Sequence, residues 1–150
     1  MGFSIFPAPS AASKTRYVVT RLSGSSWTVP AGVTYVNAKL FGGGGGGANF
    51  GVQGLGGRVV TTLVTTTPGA SIAYAIGAGG SGGSNAPSDG GTTSFTGATS
   101  AEGGSANINS SQTRPTNGES ANNGGQSTSA NNSNPGGVGG TGKIELEYWV

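Results

Sequence analysis

Only five side chains in this 150-residue chain can donate or accept a catalytic proton near neutrality: Asp89, Glu102, Glu119, Glu145 and Glu147. There is no histidine and no cysteine. Serine–histidine and cysteine–histidine nucleophiles, thiolate zinc sites and disulfide frameworks are therefore excluded. Glycoside hydrolysis needs two carboxylates held at a fixed separation. Glu145 and Glu147 lie two apart, on one face of a terminal strand, where a Lys or Arg of a neighbouring strand is the expected partner of each. Asp89 and Glu102 stand singly in glycine-rich sequence. Either could meet a cation or a sugar hydroxyl, but neither has the ligand spacing of a calcium loop, so both read as solvated surface. The run GGGGGGANF is followed by neither a helix nor a lysine, as a phosphate-binding loop would require. The chemistry predicted is that of a protein that is not an enzyme, with no catalytic residue, no metal and no cofactor.

The cations give no stronger signal. Lys14, Arg16, Arg21, Lys39 and Arg58 make residues 1–60 formally +5, whereas residues 61–150 carry −3. Five cations spread over 60 residues, without a basic cluster or interleaved aromatics, are a poor nucleic-acid footprint, and no nucleic-acid partner is expected. The asymmetry reads instead as help for head-to-tail contacts or for docking to a larger assembly. The start, MGFSIFPAPSAAS, lacks the charged opening and long apolar run of a secretory signal, and no stretch approaches the ~20 apolar residues of a membrane-spanning helix. These readings imply a soluble product of a cytoplasm.

The elements that would position such residues are strands. TRYVVTRL (15–22), VTYVNAKLF (33–41), GRVVTTLVTT (57–66), ASIAYAI (70–76) and KIELEYWV (143–150) are rich in β-branched and aromatic residues and bounded by Gly, Pro or Ser. Alternation sets Val36, Ala38 and Leu40 against Tyr35, Asn37 and Lys39, and Ile144, Leu146 and Tyr148 against Glu145, Glu147 and Trp149. TTPGA (66–70) reads as a turn that closes the third and fourth runs into an antiparallel hairpin. The expected fold is all-β, a small antiparallel β-sandwich carrying long glycine-rich loops.

Thirty-two residues are glycine, ten of them within residues 42–57. Gly42, Gly45, Gly51, Gly54 and Gly57 share a register of three, with Ala48 in the vacant place. Gly77, Gly80 and Gly83 repeat the spacing, as do Gly136, Gly139 and Gly142. Gly/Ser tracts often serve as flexible linkers, but a period of three is that of the polyproline II helix, in which a bare face at every third position lets backbones approach. Collagen is excluded, since the period breaks within each run and proline is sparse. Residues 77–142 hold only Phe95, Ile108 and Val138 as larger apolar side chains. Ordering them costs roughly 1–2 kcal/mol per residue. Packing against copies of the chain would supply the missing partners, and a homo-oligomer, most simply a trimer, is predicted on that ground.

SGSSWTVPAGVTYVNAKLFGGGGGGAN (23–49), PGAS (68–71), IGAGGSGG (76–83) and the closing GGTGKIELEYW (139–149) together resemble the glycine-rich domain of bacteriophage tail and tail-fibre proteins. The resemblance covers about residues 23–150 and rests on the order of the motifs, not on polyglycine alone. It implies a virion protein at a tail or fibre tip, presenting glycine-rich loops for recognition of a host receptor. Partners would be other virion proteins and a bacterial surface saccharide or outer-membrane protein. A purely structural virion part, a capsid decoration or tail-tip cement, is the alternative; an ice-binding bundle of polyproline II helices would need the period sustained over most of the chain. Trp27, Pro30 and Gly32 anchor the motif and read as structural: a cap on the core, an extended or turn backbone and a positive φ. Phe95, Arg114 and Trp149 are candidate interface or recognition residues, as are Phe3 and Phe6 in the apolar start. Residues 1–14 read as an attachment segment and residues 15–150 as the glycine-rich β domain.

Overall fold

A computed structural model describes residues 14–48, 54–83, 86–106, 119–120 and 137–150. Among these residues eight strands form: β1 (Arg16–Arg21), β2 (Ser26–Thr28), β3 (Tyr35–Phe41), β4 (Arg58–Thr65), β5 (Ser71–Ala75), β6 (Ser94–Phe95), β7 (Glu119–Ser120) and β8 (Lys143–Trp149). All five strands predicted from the residue pattern are present. One antiparallel sheet has the long strands in the order β1-β8-β3-β4, with the two-residue β7 paired onto β4 at Arg58 and Val59. The second sheet has the order β2-β5-β6. The molecule is an all-β sandwich.

Register decides which side chains meet. β3 and β8 pair Ala38 with Leu146 and Leu40 with Ile144, while Val36 faces Val64 across β3 and β4. These apolar residues fill the space between the sheets with Trp27, Val29, Tyr74 and Phe95 of the second sheet. Trp27 touches both layers, its ring centroid 5.7 Å from that of Tyr148 and 6.2 Å from that of Phe95. The Tyr74 hydroxyl, at the margin of this core, donates to Ser23 O at 2.8 Å.

The expected hairpin of the third and fourth runs does not form. β4 pairs with β3, and β5 with β2 in the other sheet. Pro68 and Gly69 do make a turn, closed by Ala70 N donating to Thr67 O at 3.0 Å, with Gly69 at φ 80°. A positive φ at the third residue, after Pro at the second, is the type II turn. Its twist suits a crossing rather than a hairpin, because tight hairpins use the mirror-image turns. Gly69 N bonds Val29 O and Val29 N bonds Ala70 O, which hold the crossing to the second sheet.

Candidate functional site

Phe41 ends β3, and residues 42–48 leave the sandwich with every residue buried. Their amides have a simple order. Gly42 N donates to Arg58 O and Gly45 N to Leu55 O; Gly43 N donates to Gly91 O and Gly46 N to Ser88 O; Gly44 N donates to Gly140 O and Gly47 N to Gly137 O. The neighbour is the same every third residue, so the backbone turns once in three residues, the period of polyproline II. The carbonyls continue the pattern: Gly44 O and Gly47 O accept from Gly80 N and Gly83 N, and Gly43 O accepts from Gly104 N. The tract is thus the axis of a bundle, ringed by residues 54–57, 77–83, 88–91, 103–106 and 137–142.

The outer tracts also bond one another. Gly91 N donates to Ala78 O, Gly90 N to Gly104 O, Leu55 N to Ser105 O, Gly139 N to Gly80 O and Gly142 N to Gly77 O, all between 2.7 and 2.9 Å. This answers how a segment with few apolar side chains is ordered: buried backbone groups must find partners, and these find them in one another. Glycine is required by distance. A Cβ on Gly45 would stand 2.7 Å from Gly104 O, and one on Gly90 the same distance from Gly44 O. Among the described residues these bonds run between tracts of the chain itself.

The neck between sandwich and bundle is held by a side chain the sequence reading passed over. Thr93 is completely buried; its hydroxyl donates to Phe41 O at 2.7 Å and accepts from Gly77 N at 2.9 Å. It therefore ties the end of β3 to the start of a tract. At the other end of the bundle lie Ala48, Gly54, Gly83, Ala86, Ala106 and Gly137, because each tract starts or finishes at a strand on the sandwich side. Asp89 acts near this end, its Oδ1 accepting from Ala106 N at 2.6 Å. Its side chain is exposed, as expected of a surface acid, and takes this one amide from the tract end. The described residues that flank positions 49–53, 84–85 and 107–136 thus share this one apex, roughly 20 Å from the neck at 3.1 Å per residue. Within the third, Glu119 and Ser120 pair with β4 at the sheet edge.

The recognition candidates fall in different places. Phe95 is only 2% exposed and packs on Trp27, so it is a core residue with no surface for a ligand, contrary to its selection as a recognition residue. Its flanking Ser, Thr and Gly concealed the two-residue strand that buries it. Trp149 is 43% exposed at the end of β8. Trp27 is buried in the core; Gly32 has φ 80° in a turn closed by Val33 N donating to Pro30 O. Phe3, Phe6 and Arg114 lie outside the described residues.

The outer face of the four-stranded sheet carries a shallow groove of about 210 Å³ lined by Arg16, Val18, Asn37, Lys39, Thr61, Glu145 and Glu147. Two of its four charges, Arg16 and Glu147, engage one another. Glu147 is held by Arg16 of β1 and by Asn37 Nδ2 at 3.4 Å, and these hydrogen bonds, Arg16 first, lower its carboxyl below the ordinary carboxylate value. Glu145 accepts from Lys143 Nζ at 2.7 Å, and that ammonium also sits 4.4 Å from the Phe41 ring centroid. Arg58 and Glu102 are 3.7 Å apart. Glu147 and Glu102 of the second half thus pair with cations of the first, which offsets part of the charge asymmetry in the sequence. A carboxylate kept ionised by a guanidinium is a poor general acid. Among the described residues no group of three metal-ligating side chains assembles.

A family model described as a glycine-rich domain matches residues 20–147. No curated protein matches the chain.

Proposed function

The chain belongs to the glycine-rich domain family, and from that premise we propose that it is a bacteriophage virion protein, a tail or fibre tip component that presents the apex of its glycine bundle to a host surface. The observation that carries this reading is the convergence of six tract ends on one apex of a bundle whose backbone groups are satisfied internally. Sequence at the apex can then change without disturbing what holds it, which is the arrangement that recognition loops on a rigid scaffold require. The motif order read from the sequence, from Trp27 through the polyglycine run to the closing Glu147-Tyr148, supports the tail assignment. Partners in this reading are other virion proteins, copies of the chain itself, and a bacterial surface saccharide or outer-membrane protein.

The test replaces residues 121–134 with a Gly/Ser tract of equal length, leaving Glu119, Ser120 and the bundle unchanged. Particle yield and heat stability are expected to hold while adsorption to the host falls at least tenfold. Unaltered adsorption would remove receptor recognition from this segment. A loss of heat or osmotic stability with adsorption intact would assign the chain to the structural part of the particle instead.

A further inference from the structure

Among the described residues the main sheet ends on one side at β1, and the hydrogen-bond phase of that strand is fixed by its first neighbour. Thr15 and Val150 exchange both main-chain bonds, at 2.8 and 3.0 Å. In an antiparallel ladder such pairs recur every second residue. Tyr17, Val19 and Arg21 therefore bond to β8, and the N–H and C=O groups of Arg16, Val18 and Thr20 point away from the sheet. β1 pairs with β8 over six consecutive residues without a bulge, and it holds no proline. Those are the devices by which edge strands usually avoid partners. The other edges among the described residues differ: β4 carries β7 at Arg58 and Val59 and takes Thr99 N on its Thr62 hydroxyl at 3.3 Å, while β2 and β6 are three and two residues long.

The side chains narrow what could pair there. Tyr17, Val18 and Leu22 are 45%, 55% and 67% exposed and offer apolar contact on both faces of an added strand. Lys14, Arg16 and Arg21 are cationic, with no acid between them. Arg16 is engaged by Glu147, but Arg21 Nε is buried with no hydrogen-bond partner. A second copy of β1 would bring together two strands that both carry only positive charge, which disfavours self-pairing. We propose that the free edge of β1 receives an extended, acidic segment of a partner protein as an added strand, its main chain bonding Arg16, Val18 and Thr20 and a carboxylate meeting Arg21. This uses main-chain bonds for affinity and alternate side chains for selectivity, and it stands independently of the apex and its role.

The probe is an end-capped octapeptide alternating Val with Glu, titrated into isotopically labelled protein and followed by amide shifts and exchange. The amides of Arg16, Val18 and Thr20 are expected to shift and gain protection, with affinity at least tenfold above that of the same peptide bearing Lys. Val18→Pro removes an outward N–H without touching a bond to β8, a position where proline is tolerated, and should abolish binding in a folded protein. Arg21→Gln should keep binding and lose most of the preference for Glu. Binding of the Lys peptide with equal affinity overturns the proposal, as does an undisturbed β1 at millimolar Glu peptide. Self-association that Val18→Pro reverses would overturn it in favour of a second copy. If Val18→Pro does not fold, Arg21→Gln decides: an unchanged preference for Glu refutes the assigned site.

Discussion

Substituting Gly45 by alanine tests whether the bundle is held by backbone contact alone. The new Cβ would lie 2.7 Å from Gly104 O and closer still to Ser105 O, whereas ordinary contact begins at 3.4 Å. The tract at 103–106 must retreat by about 1 Å to free Ser105 O, and its own bonds are the ones that stretch: Gly104 N to Gly43 O, Gly90 N to Gly104 O and Leu55 N to Ser105 O, at 2.8 to 2.9 Å. At about 1 kcal/mol net for each, three weakened bonds cost about 3 kcal/mol. Alanine's stiffer unfolded chain returns about 0.4–1 kcal/mol, leaving a loss of about 2–3 kcal/mol. In a chain of this size that lowers Tm by roughly 4–12 °C. Gly83→Ala is the matched comparison, because its nearest foreign atom, Ala86 O, is 3.3 Å away and the expected change is within about 0.5 kcal/mol. Urea unfolding gives the difference, and amide exchange at Gly43 and Gly46 locates it in the bundle. Equal stabilities of the two variants would refute the argument from distance.

Thr93→Val removes both hydroxyl bonds at the neck and leaves Gly77 N and Phe41 O buried without them; a loss of about 2–4 kcal/mol in denaturant unfolding is expected, with Thr93→Ser close to the parent. Phe95→Ala empties a core position and should cost about 3–5 kcal/mol. If Phe95 instead served recognition, adsorption would fall in particles whose protein keeps its melting temperature. Glu147 has its folded value lowered by Arg16 and Asn37, so its contribution to stability is present above the ordinary carboxylate value and is lost as pH falls through the lowered one. Arg16→Ala should raise the Glu147 midpoint in a carboxyl NMR titration and flatten stability across that acidic window; an unmoved midpoint would remove the ion pair from the account.

Strand positions were legible because alternation survives in a half-buried sheet: Val36, Ala38 and Leu40 went inward as a set. Where two strands are three residues long or less, as at Trp27 and Phe95, no alternation can accumulate, and Phe95 was read as loop. The Pro68-Gly69 turn was visible, but not its hand, and the hand sends β5 to the other sheet. The period of three was visible in the glycines as well. Its bonding was not, since weighing the few apolar side chains of residues 77–142 ignores what amide and carbonyl groups of adjacent tracts supply to each other. Thr93 carried no signal, for a single hydroxyl has no spacing to read.

A core made of main chain responds to temperature differently from a core made of side chains. Exposing apolar surface raises heat capacity and exposing polar surface lowers it. Unfolding the sandwich, with Trp27, Leu40, Phe95 and Leu146 at its centre, adds the usual positive increment. Unfolding the bundle releases amides and carbonyls with few side chains, so its increment is small or negative. The sandwich therefore loses driving force on cooling, as hydrophobic cores do, while the glycine tracts keep theirs. One chain joins two materials with opposed thermal responses, and the junction between them is the Thr93 neck.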